Sequence, residues 1–238
     1  MDKTMMIEAS PLRVPRSTKT LRDLALEKIR NAILEGHFQP AERLTERILC
    51  EQLEVSRSVV REVLRHLEAE SLVETIPHQG PIVARLDPAK AEQIYEIRAL
   101  LEATAAKACA QQASAAQVAD LGAALDAIER AFDDGDPAAV LAAKSRFYEI
   151  LFKGGGKTVA WEIVQSLNAR INLMRAMTIA SPNRAKDSVS ELRRIRQAIA
   201  NRQPDEAFAA ALDHVLVAGE VARTLLASER MEARDEQT

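Results

Sequence analysis

Apolar residues recur every three or four positions through most of this chain, the spacing of one face of an α-helix. In the first third, Leu21, Leu24, Ala25, Ile29, Ala32 and Ile33 predict a helix over residues 20–35, and Gly36 ends it by taking a left-handed conformation. A turn at Gln39-Pro40-Ala41-Glu42 leads to a short amphipathic helix over 45–53, which Glu54-Val55 joins to a third helix. On that third helix Val60, Val63, Leu64 and Leu67 form an apolar stripe, and Arg57, Arg61 and Arg65 share the roughly opposite face. Ser56 stands just before its first turn, where a hydroxyl can cap free N–H groups. The period then shortens to two. Residues 72–76 and 81–85 read as strands, and Pro77-His78-Gln79-Gly80 as a hairpin tip.

Three helices followed by a hairpin are the order of a winged helix-turn-helix. Arginine suits the outer face of its second motif helix, because a planar fork of donors can grip guanine O6 and N7 together. Ser56 and Ser58, at the helix start, can hold phosphate with their hydroxyls and the neighbouring N–H groups. An exposed basic helix face with no partner is the alternative reading of the arginines taken alone.

After Arg85 no strand is predicted. Leu86-Asp87-Pro88 is a short linker, and helical segments follow near 88–112, 115–133, 137–153, 157–178, 184–202 and 204–228. Six helices with short loops imply an antiparallel bundle, which can enclose a small-molecule pocket. The fold class is therefore mainly α: an N-terminal winged helix-turn-helix (three helices plus a β-hairpin wing), then an all-α antiparallel bundle. The domains are expected at 1–19 (a flexible arm), 20–86 (the winged helix), 87–230 (the bundle) and 231–238 (a tail).

Composition adds three constraints. Of 238 residues 47% are hydrophobic and only 3% aromatic, which favours helices packed on helices. The net charge is −3, and residues 1–86 are neutral with 13 basic and 13 acidic side chains. Positive charge must then be concentrated on one face, in the third helix, Arg47 and the lead-in Arg13, Arg16 and Lys19. The N-terminal residues have no apolar signal-peptide core, no stretch is apolar enough to span a membrane, and Cys50 and Cys109 fall in different regions, as separate thiols would. These features and the DNA-binding reading lead to a cytoplasmic location. Glycine-rich Gly154-Gly155-Gly156 joins helices rather than following a strand, and no nucleophile elbow or metal-spaced Cys/His pair occurs, so an enzymatic bundle has no motif behind it.

The same residues carry a family resemblance. Ile29-Arg30-x-x-Ile33-Leu34-x-Gly36, Pro40-x-x-Arg43-Leu44-Thr45-Glu46-Arg47, Val55-Ser56-Arg57, Val60-Arg61-Glu62, Leu64-x-x-Leu67-x-x-Glu70 and Leu72-Val73 resemble the DNA-binding domain of GntR-family transcription regulators. The resemblance implies base and phosphate contacts for Arg47, Arg57 and Arg61, phosphate contacts for Ser56 and Ser58, and a wing tip at His78 or Gly80. Arg65 shares the arginine face. Ala41 replaces the usual glycine after Pro40, at an expected small cost, Ser71 the usual glycine after the third helix, and Val63 an alanine. Tyr95-Glu96-Ile97-Arg98-x-x-Leu101-Glu102, Phe147, Ala198-Ile199 with Asp205, and His214 resemble the FCD ligand-sensing domain of the FadR branch. That resemblance implies a metal held by one acid and three histidines, but their positions here carry Lys144, Tyr148, Leu192 and His214, so no metal and no cofactor is expected. The expected effector is a small anionic metabolite, a carboxylate, held by Arg98, Lys144, Tyr148 and His214 together with Arg175 or Asn168. The competing reading has Arg98 paired with Glu102 one turn on, Lys144 in solvent or paired with an acid, and His214 packed in the core. The expected partners are an operator DNA and a second copy of the chain in a homodimer that represses, with no membrane. A bundle that serves only as a dimerisation scaffold, or as an enzyme, is the rival.

Overall fold

The computed structural model describes residues 19–179, 181 and 184–235, with side chains as far as residue 228. The basic lead-in Arg13 and Arg16 and most of the two terminal segments lie outside the described residues.

The first unit consists of α1 (Leu21–Leu34), α2 (Glu46–Leu53), α3 (Arg57–Ala69), β1 (Val73–Ile76) and β2 (Gly80–Val83). Thr20 and Asp23 form a reciprocal capping box at the start of α1, and the Ser56 hydroxyl accepts from Val59 N–H at the start of α3. Glu54 turns the chain between α2 and α3 at φ 54. β1 and β2 pair antiparallel, with Val73 opposite Val83 and Ile76 opposite Gly80. The strands are shorter than the sequence implies, yet Ala84 N–H still donates to Leu72 C=O beyond their ends. Residues 41–44 add a third edge through the Leu44 N–H to Pro81 C=O and Val83 N–H to Glu42 C=O bonds. Ile29, Ile33, Leu44, Leu49, Val60, Val63, Leu67, Leu72 and Val83 close the core beneath these elements.

Of the five left-handed non-glycine residues among those described, two stand where the resemblance has glycine. Ala41 has φ 68 and Ser71 φ 61, and a left-handed non-glycine residue costs about 1–2 kcal/mol. Ala41 is thus more costly than its chemistry suggests, because the turn before α2 needs the left-handed conformation.

The second unit holds α4 (Pro88–Gln112), α5 (Ala115–Asp133), α6 (Pro137–Gly154), α7 (Thr158–Ser166), α8 (Asn168–Ile179), α9 (Arg184–Ala200) and α10 (Pro204–Asp235). Asp87-Pro88 and Asp136-Pro137 each place a capping carboxylate before a first-turn proline. Among the described residues the bundle has seven helices, not six, because the 157–178 segment breaks at Leu167. There Leu167 N–H bonds back to Val164 C=O and the Ser166 hydroxyl takes Ile163 C=O at 2.7 Å, so the turn is satisfied without glycine or proline. α4 and α10 pack along one another, α5 on α6, and α9 on α10. Gly155 allows α6 to end against α4, since a Cβ there would meet Ala105 O at 2.7 Å. Phe147, Leu151, Phe152, Ile171, Met174, Leu192, Ile195, Ile199 and Val215 fill the interior.

Helix α8 belongs to both units. Its Ile171 and Met174 lie in the bundle core, whereas Leu173 is buried in the core of the first unit. Arg170, in its first turn, donates to the Ser71 hydroxyl at 2.7 Å.

Candidate nucleic-acid interface and effector site

The arginine face of α3 is exposed at Arg57, Arg61 and Arg65, while Val60, Val63, Leu64 and Leu67 are buried beneath it. Arg61 is held by Glu46 of α2, with Nε 2.9 and 3.0 Å from its two carboxylate oxygens, and Arg47 pairs with Glu51 one turn on at 2.9 Å. These exposed pairs are weak in water, and a phosphate or a guanine edge can compete for the same donors. Arg57 and Arg65 have no ion-pair partner among the described residues. Ser56 and Ser58 hydroxyls lie 2.8 Å apart at the helix start. The wing tip is exposed at His78, in the left-handed region at φ 67, and Gly80 follows at φ 85. Lys19 is taken up by Glu27 at 2.7 Å. The surface thus sets the N-terminal half of α3, Arg47 and the wing on one unit.

In the bundle, helices α4, α6, α8, α9 and α10 contribute polar side chains to one buried cluster. Arg98 is buried, and its Nε donates to Glu102 Oε1 at 3.0 Å across one turn of α4. Among the described residues Arg98 Nη1 and Glu102 Oε2 have no hydrogen-bond partner. Lys144 on α6 is 7% exposed, and its Nζ donates to the Ser188 hydroxyl at 2.8 Å. The solvent-facing alternative for Lys144 therefore does not apply, whereas the Arg98–Glu102 pair does form. Arg175 on α8 stacks its guanidinium 4.6 Å from the Tyr148 ring centroid, and its Nη1 meets Asn172 Oδ1 at 3.3 Å. His214 on α10 is buried, with Nδ1 2.5 Å from Glu191 Oε2 and Nε2 2.9 Å from the Tyr148 hydroxyl. Arg184 donates to both Glu191 oxygens at 2.8 and 2.9 Å.

Burial and its neighbours set the protonation states. Burial holds the Lys144 amine down to about 7, and Arg175, Arg184 and Arg98 push the same way against Glu191. Burial also holds His214 down to about 4, despite its bond to Glu191. Burial alone would raise Glu191, but bonds from His214 and Arg184 outweigh it and bring it to about 2. A neutral His214 satisfies both contacts with its proton on Nδ1, donating to Glu191, while Nε2 accepts from the Tyr148 hydroxyl.

Tyr148 and His214, expected to meet an anion with a hydroxyl donor and a ring nitrogen, bond to one another, and His214 also to Glu191. One expectation needs correction. Asn168 is not in the cluster at all. It starts α8 beside Arg30, Leu34, Glu70 and Leu72, in the crevice between the two units. Asn172, one turn on, is the amide that meets Arg175. Sequence reasoning missed Arg184, Ser188 and Glu191, although their i, i+4, i+7 spacing on α9 is that of a single inward face.

The positions where the FCD resemblance implies metal ligands do not fit a divalent ion. Leu192 offers only carbon, Lys144 Nζ is taken up by the Ser188 hydroxyl, and both His214 nitrogens are engaged. Among the described residues no group of three His, Cys, Asp or Glu side chains is placed to hold a metal.

Residues 21–83 match the sequence profile described as bacterial regulatory proteins of the gntR family, and residues 93–216 match the FCD domain. The chain belongs to the GntR family and carries an FCD domain. The HTH-type transcriptional regulator YdhC of Bacillus subtilis strain 168, itself uncharacterised, is 26% identical over 190 residues, which cover 79% of this chain and 83% of that one. The Galactonate operon transcriptional repressor of Escherichia coli strain K12 is 28% identical over 166 residues, covering 61% of this chain and 70% of that protein. A solved structure of a GntR regulator from Rhodococcus sp. RHA1 superimposes with a TM-score of 0.69 at 21% identity, over 87% of this chain and 97% of that one, and establishes likeness of fold. This GntR-family chain is a transcription regulator, not an enzyme. Among the described residues no helix is long and apolar enough to cross a membrane.

Proposed function

We propose that this GntR regulator is a repressor that binds a palindromic operator as a homodimer and releases it when a small anionic metabolite, a carboxylate, occupies the buried cluster of the bundle. The observation that carries this reading is the convergence of Arg98 Nη1, Arg175 and Lys144 in one water-poor interior, with donors left over after their bonds within the chain. Charge-assisted bonds from such groups are the ordinary way a protein holds a carboxylate. The relative named a repressor supports the sign of regulation.

Helix α8 is the route from ligand to DNA. An anion that draws Arg175 inward moves a helix whose Leu173 and Arg170 are tied to the first unit. In a two-fold dimer such a movement changes the separation of the two α3 helices along the duplex. A loss of about 1–3 kcal/mol at one half-site is enough to empty an operator substantially. The test is to capture genomic fragments on the purified protein, sequence them, and titrate the recovered site with a panel of organic acids. A short palindrome released by one acid is the expected result. A palindrome that no acid releases would leave the bundle as a dimerisation scaffold, and random fragments would overturn the operator reading.

A further inference from the structure

The charge balance of the bundle interior says more about the ligand. Arg98, Lys144, Arg175 and Arg184 are all buried. Two carboxylates face them, Glu102 bonded to Arg98 and Glu191 bonded to Arg184 and His214. Among the described residues neither Lys144 nor Arg175 has a carboxylate partner. Neutral groups hold them instead: the Ser188 hydroxyl on Lys144, and Asn172 and the Tyr148 ring on Arg175. A buried charge without a counter-charge is strongly disfavoured, so two of them from facing helices mark a place where negative charge arrives from outside the chain.

We propose that the bundle selects a dianion, with one negative charge met by the Arg175 fork and Arg98 Nη1 and the other by the Lys144 ammonium. This rests on the anion-sensor reading above and sharpens it. A monoanion would neutralise one of the two cations and leave the other buried and unpaired. The two cations differ in kind, a planar fork on α8 and a point charge on α6, which suits two separate negative groups on one small molecule. A dicarboxylate meets this with two separate groups, whereas a phosphate monoester brings the same two charges on one group. Burial and Arg175, Arg184 and Arg98, opposed by Glu191, already weaken proton binding at Lys144, and a second negative charge beside it restores the ammonium.

The experiment is isothermal titration calorimetry of the full chain at pH 7 with acetate and lactate, succinate and malate, and inorganic phosphate and glycerol phosphate. The expected result is that at least one dianion class binds about tenfold or more tightly than both monoanions. Whichever class does so identifies the source as carboxylate or phosphate. In Lys144→Gln, checked for retained helix by circular dichroism, that margin should collapse to about twofold while weak monoanion binding persists. If Lys144→Gln does not fold, the comparison on the wild-type chain decides alone. Monoanions that bind as tightly as dianions, or an unchanged margin in folded Lys144→Gln, would overturn dianion selectivity and leave the anion sensor standing. Binding of none of the six would overturn both readings.

Discussion

Removing the charge of Lys144 should make the ligand-free protein more stable. The amine is held at about 7 instead of 10.5, and one unit corresponds to about 1.36 kcal/mol, so carrying the ammonium into this site costs at most about 5 kcal/mol. Lys144→Met keeps a long unbranched side chain, removes the charge, and leaves the Ser188 hydroxyl without its 2.8 Å partner, an offset of about 1 kcal/mol. With relaxation of the site, a net gain of about 2–4 kcal/mol is expected at pH 6. The gain has a definite pH dependence. Below pH 7 the amine is protonated in both folded and unfolded chains, and the full cost is present. Between pH 7 and 10.5 the unfolded chain binds the proton and the folded chain does not, so wild-type stability rises relative to the variant. At pH 9 the gain should therefore be smaller by about 2–3 kcal/mol. Urea unfolding of both proteins at one protein concentration, at pH 6 and pH 9, measures this. A variant less stable than wild type at both pH values would show that Lys144 is a structural anchor, and the account of a charge stored for a ligand would fail.

Three further outcomes are expected. Arg57→Ala and Arg61→Ala should each weaken operator binding by about 1–3 kcal/mol in a gel-shift titration, with unchanged circular dichroism, because both side chains are exposed and neither supports the core. His214 is held near 4, so the folded chain resists the proton that the unfolded chain takes up below 6.5. About 3 kcal/mol of stability should then be lost on acidification from pH 6.5 to 4, and denaturation of His214→Gln over that range should show a flatter profile. Ser71→Gly relieves the left-handed strain but deletes the Arg170 contact. It should change unfolding free energy by less than about 1 kcal/mol, yet shrink the effector-induced change in operator affinity, and a cycle with Arg170→Ala measures the coupling.

The parts of this protein that were legible in its sequence are those with a strong local period. The apolar stripe and arginine face of α3 follow from a 3.6-residue repeat alone, and the cap at Ser56 from a hydroxyl that competes for helix N–H groups. The break at Leu167 was not legible, because no glycine or proline marks it and the apolar spacing runs through. The buried cluster was half legible. Arg98, Lys144, Arg175 and His214 stand out as charged residues in apolar helices, but Arg184, Ser188 and Glu191 lie in a helix so polar that an inward face is hard to tell from a solvated one. Asn168 and Asn172 line the same crevice between the units, and only Asn172, one turn closer to Arg175, reaches its guanidinium.

The same arithmetic bears on regulation. A ligand can shift a conformational equilibrium only by its difference in affinity for the two states. Here the difference has a physical source. Among the described residues neither Lys144 nor Arg175 has a carboxylate partner, so in the proposed sensor their burial is costly until an anion arrives. Neutralisation offsets that cost by an amount of the order of the few kcal/mol that burial takes from Lys144, comparable with the 1–3 kcal/mol needed to loosen an operator half-site. α8 is the element that can carry it, because Arg175 faces the charge and Leu173 and Arg170 face the DNA-binding unit within the same two turns. It follows that variants neutralising Lys144 or Arg175 should resemble the ligand-bound state in operator affinity while no longer responding to ligand.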